Sequence, residues 1–71
     1  MNLGWAVKKT MARKGIRGAD LARSMGTTKS YVSRIVTGHY ENMGIATIAR
    51  IAGALDVDPE DLVALARKAP D

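Results

Sequence analysis

Between Gly18 and Gly38 the chain reads GADLARSMGTTKSYVSRIVTG. On a 3.6-residue period, Thr28, Lys29, Ser30, Ser33, Arg34 and Thr37 point away from Val32, Ile35 and Val36. The polar side holds short hydroxyls and two long cations, with no carboxylate among them. Such a surface offers hydrogen-bond donors and positive charge, the chemistry that meets phosphate oxygens and the acceptor edges of bases. A solvated polar face is the plainer alternative. The lack of acids on this face weighs against it, because seven acids occur in the chain. Covalent and metal chemistry have less support. There is no cysteine, and His39 is the only histidine, so neither a thiolate nor a histidine-based metal site is expected. No carboxylate pair accompanies a histidine, no glycine-rich phosphate loop occurs and no nucleophile stands beside a base, so no enzyme and no cofactor is expected. His39 is assigned to solvent or to a nucleic-acid contact.

Charge sharpens this reading. Eleven Lys and Arg against seven Asp and Glu give +4 overall. The balance is uneven along the chain. Residues 1–40 carry eight cations against Asp20 alone, a net +7, while residues 41–71 carry three cations against six acids, a net −3. A field polarised in this way favours a polyanionic partner. Nothing suggests a membrane or a small-molecule ligand: no run of 18 apolar residues exists, and the N-terminal apolar stretch is too short, with its lysines misplaced, for a secretory signal. A cytoplasmic location is the expectation.

The elements that must position this face follow from periodicity and punctuation. At 71 residues, 46% of them hydrophobic, the chain is expected to form one small domain around one apolar core. Five helical patterns are predicted, over about 3–14, 18–25, 29–37, 43–55 and 59–68, with a frayed tail at 69–71. Leu3, Val7 and Met11 stripe the first, and Gly15, Gly26 and Gly38 stand where helices stop. Thr28 and Asn42 are expected N-caps. Asp58-Pro59-Glu60-Asp61 combines a cap, a proline at the first helical position and acids in the first turn. Gly53, inside the fourth helix, is expected to serve a close helix contact. Trp5 is expected to close the core near the fourth or fifth helix. The fold class is all-α, since no alternating apolar run is paired with a hairpin turn.

Around Gly26 the spacing becomes specific. Leu21, Ala22 and Met25 precede it, Val32 and Ile35 follow, and Gly38 ends the unit. A glycine in so short a turn lets two helices meet steeply and leaves the second with a free outer face. These residues resemble the helix-turn-helix of the phage repressor, Cro and C1-type family. NMGIATIARIAGALDVDPEDL, residues 42–62, is similar to that family's fourth and fifth helices, and the resemblance extends over roughly residues 3 to 68. It implies a five-helix, lambda-repressor-like domain that binds double-stranded operator DNA as a homodimer. By the family's pattern Lys29, Ser30 and Arg34 read bases, with Ser33 a weaker candidate. Thr28 and Thr37 lie nearer the phosphates, as do Arg17, Gly18, Tyr40 and Asn42 and the amides opening the fourth helix.

Two departures from the family stand out. A capping serine or threonine followed by glutamine is usual where this chain has Arg17-Gly18. A partly buried arginine–glutamate pair often occupies the positions of Met11 and Val36, which are expected to pack together instead. Dimer contacts are expected from the fifth helix, at Leu62, Leu65 or Ala66. The regulator so implied is a transcriptional one of the phage or prophage sort. An antitoxin that holds a toxin is an alternative of another class, disfavoured by the few residues after Lys68. A restriction-gene controller would share the same chemistry.

Overall fold

The computed structural model describes residues 1–38 and 43–70. In chain order the helices are α1 (Leu3–Lys14), α2 (Gly18–Met25), α3 (Lys29–Val36), α4 (Ile45–Leu55) and α5 (Pro59–Arg67). No strand occurs among the described residues. This is the expected all-α class.

Local chemistry accounts for most of the boundaries. Asn2 opens α1, its side-chain oxygen accepting from the Trp5 N–H at 3.0 Å. Thr28 opens α3 as expected, accepting from the Tyr31 N–H at 3.1 Å. Asp58 opens α5, accepting from the Glu60 N–H at 2.8 Å, with Pro59 next in the chain. Gly15 and Gly26 end α1 and α2 at φ +67°, the left-handed conformation that a Cβ disfavours. The fourth helix departs from expectation. It opens at Ile45 with Gly44 as N-cap, not at 43 behind Asn42, and Gly44 has no side chain to offer the free amides. Asp56 closes α4 in the left-handed region, φ 57°, and its carbonyl accepts from Lys14 Nζ at 2.9 Å.

Leu21, Ile35, Ile51, Leu55, Leu62 and Val7 form the fully buried centre of one core. α1 packs on α3, α4 and α5; α2 packs on α3 and α4; α4 packs on α5. The Asn2 N–H donates to the Ala66 carbonyl at 3.0 Å, which joins the start of α1 to the end of α5. Thr10 is the buried polar residue of the core, and its hydroxyl donates to the Ala6 carbonyl at 2.8 Å. Trp5 packs half-buried against the core, with Lys9 Nζ 5.5 Å from its ring centre. Met11 is buried and Val36 half-buried, and they line the same concavity.

Two expectations need correction here. Gly53 is exposed, and a Cβ there would meet nothing within 4 Å, so close packing does not explain it. Leu62 and Ala66 are 2% and 0% exposed. They belong to the core beneath α1 and α4 and cannot form a surface for a second copy. Leu65 is half-buried. The helical period showed which side of α5 is apolar, but two faces of the helix are apolar and the core takes only one of them.

Candidate nucleic-acid interface

The interface begins with the angle between α2 and α3. Gly26, left-handed, donates its N–H to the Arg23 carbonyl, and the next residue, Thr27, donates to the Ala22 carbonyl at 2.9 Å. This closes α2 and turns the chain at once into Thr28, the cap of α3. Leu21, Ala22 and Met25 on one helix and Val32 and Ile35 on the other are buried together. With that side held in the core, α3 presents its opposite side outward. Lys29, Ser30, Ser33, Arg34 and Thr37 are all exposed, as is Thr28. No acid stands among them.

A close contact from α1 fixes where α3 ends. A Cβ placed on Gly4 would run into the Ile35 carbonyl oxygen and lie 3.2 Å from that of Val36. The backbone of α1 therefore rests directly on the last turn of α3, and only glycine fits there. On the other side, Arg50 of α4 donates from Nη2 to the Met25 carbonyl at 2.9 Å in a part-buried bond. That carbonyl ends α2, where the helix dipole favours a cation. Arg50 thus ties the turn to α4. Neither role was visible in the sequence, where Gly4 breaks an ordinary helix and Arg50 is one cation in an apolar run.

The expected backbone-contacting residues divide. Gly18, at the start of α2, lines one concavity together with Lys29 and Ser33 of α3 and Lys8 of α1. The apolar floor of this concavity is Met11, Val32 and Val36. In the sequence Lys8 is one of the eight cations of residues 1–40, and the fold sets it beside the outer face. Its spacing of three from Met11 was the available signal. Arg17 is exposed but already engaged: Asp20 Oδ2 accepts from its backbone N–H at 3.1 Å and from Nε at 3.3 Å. Asp20 Oδ1 also lies 3.7 Å from Arg23 Nη1. The backbone N–H of Arg17, then its side chain, hold the Asp20 carboxyl below its ordinary pKa of 3.8. This carboxylate takes over half of the expected serine–glutamine cap by reaching back to the start of its own helix. The Thr37 hydroxyl donates to the Ser33 carbonyl at 2.8 Å, so it can donate to a phosphate only by turning its proton away from that bond. Tyr40, Asn42 and His39 lie outside the described residues.

The arrangement can press cations and hydroxyls into a groove of about α-helical width, with helix-start amides flanking them. A family model for the Cro/C1-type HTH DNA-binding domain matches residues 6–67. The chain belongs to that family. No curated protein matches it. Membership makes the outer helix of the turn, α3, part of a DNA-binding domain, and the double-stranded DNA expected from charge and surface becomes its partner class. Among the described residues no helix is long and apolar enough to cross a membrane.

Proposed function

We propose that this domain is a sequence-specific transcriptional regulator of the small phage or prophage Cro or repressor sort, acting in the cytoplasm on a palindromic operator as a homodimer. One observation carries the reading: an exposed, acid-free face on the second helix of a helix-turn-helix, within a half of the chain that bears +7. Lys29 and Arg34 reach guanine O6 and N7, Ser30 and Ser33 serve the neighbouring edges, and Thr28, Thr37, Gly18, Tyr40 and Asn42 keep register on phosphates. Arg17 joins them by exchanging Asp20 for a phosphate. The dimer follows from size. The domain measures 28 × 22 × 22 Å, and successive major grooves on one side of the duplex are about 34 Å apart. A single copy therefore reads one half-site.

The test is selection of duplexes from a random pool at two salt concentrations. The expected result is enrichment of an inverted repeat with half-sites about one turn apart. Affinity for it should fall steeply with salt, because the counterions that phosphate contacts release gain less entropy in a more concentrated solution. Recovery of no preferred sequence at either salt would refute the specific reading.

A further inference from the structure

The concavity between α1, the start of α2 and α3 has a volume of about 420 Å³. Its floor is aliphatic: Met11 and Val32 are buried, and Ile16 and Val36 half-buried. Lys8 and Lys29 are exposed beside that floor, and no acid stands among the described residues that line it. Neither lysine makes an ion pair among the described residues. We propose that this hollow binds a straight-chain carboxylate of medium length, and that its occupant excludes DNA. The exclusion rests on the DNA reading above; the binding does not.

Charge complementarity carries the choice of occupant. Two unpaired ammonium groups beside an uncharged floor match a ligand with one anionic end and one apolar body. No aromatic ring stands among the described lining residues, so a flat aryl acid finds no stacking partner, whereas a methylene chain follows aliphatic walls and Met11 adapts to it. A small anion without a tail leaves the floor wet and meets only exposed lysines, whose attraction is weak in water. Each methylene that leaves water tightens binding by up to about fourfold. The head meets Lys8 and Lys29, with the Ser33 hydroxyl as a further donor, and Gly18 adds no side chain to narrow the opening. Lys29 and Ser33 are also the residues assigned above to base edges, so a carboxylate held there displaces the duplex. Each ligand then weakens the other by the same factor. No such site is legible in the sequence, because its walls come from three separate stretches of chain.

Octanoate titrated into the full chain, read by methyl and amide NMR shifts, tests this, with acetate and 1-octanol as controls that lack the tail and the head. Saturable shifts should gather at Met11, Val32 and Val36. Acetate and octanol should each bind about tenfold more weakly or worse. Ala12 lines the hollow and is exposed, so Ala12→Phe fills the space without entering the core and should weaken octanoate by about tenfold. Lys29→Gln should weaken it by about two- to fivefold. Octanoate should also raise the apparent Kd for a duplex whose binding is first measured without it, and should do so less in Ala12→Phe. The site is overturned if octanoate gives no saturable shift at these residues, if acetate or octanol binds as well as octanoate does, or if Ala12→Phe binds it as well as the wild type. Octanoate that binds here together with the duplex overturns the exclusion. A chain that binds octanoate but no duplex at all supports the site and refutes the DNA reading.

Discussion

Arg34 has a long, charged side chain on an exposed turn of α3, and the fold asks nothing of it. Its removal should therefore act on recognition alone. Arg34→Ala is expected to relax discrimination at one base pair by about 1–3 kcal/mol while leaving the melting temperature in place. Competition binding against operators changed one base pair at a time measures this, and unchanged discrimination would remove Arg34 from the reading set. Asp20 differs, because its carboxylate is tied to Arg17. Its pKa is depressed in the folded chain, so its stabilising effect is present above the ordinary value of 3.8 and is lost as pH falls through the lower folded value. The difference in stability between wild type and Asp20→Asn should be constant near neutrality and shrink in acid below that point, as read by denaturation across pH. The same variant frees Arg17 and should tighten binding to any duplex, whatever its sequence. Residue types made the outer face of α3 legible. The Arg17–Asp20 tie could be suspected only from i, i+3 spacing, and it matters because the family's usual cap is missing.

At the scale of elements, glycines in similar-looking helices behave in opposite ways. Gly4 supports backbone of α3 that cannot give way, so Gly4→Ala should cost about 1–3 kcal/mol through overpacking. Gly53 faces open space, so Gly53→Ala should add up to about 1 kcal/mol from helix propensity alone. Thermal or chemical denaturation of the two variants should move in opposite directions. Arg50→Ala removes the bond to the end of α2 and should cost about 1 kcal/mol, with weaker DNA binding because the turn is held less firmly. The helices themselves were readable: four of the five began where predicted, since caps and glycines mark their ends. α4 was the exception. Asn42 offered a better capping side chain than Gly44, yet the helix opens at Ile45. Its isoleucines and alanines cover more than one stripe, and a period cannot say which stripe the core will take.

For the whole molecule the question is which apolar surface a small domain leaves over. Leu62 and Ala66 face α1 and α4 and vanish into the core, while Val63 and Ala64 on the adjoining side stay accessible. Sequence alone gave the apolar character of α5 but not the three-dimensional packing that divides it. The charge gradient, by contrast, was complete in the sequence, and the fold turns it into a basic side carrying Lys8, Lys29 and Arg34. Neutralising one such cation, as in Lys8→Gln, should weaken binding to all duplexes by a similar factor and make the dependence of log K on log salt shallower by about one. A titration series in salt gives that slope directly.

The outward side chains of Lys29, Ser30, Ser33 and Arg34 are absent from the buried core that holds α3 in place. Target preference and foldedness are thus written on separate letters of one helix. Randomising those four positions among polar residues should yield a library whose members still melt cooperatively, each single exchange shifting stability by about 0.5 kcal/mol or less and the melting temperature by a few degrees at most. The scaffold would then accept new addresses on DNA without being rebuilt.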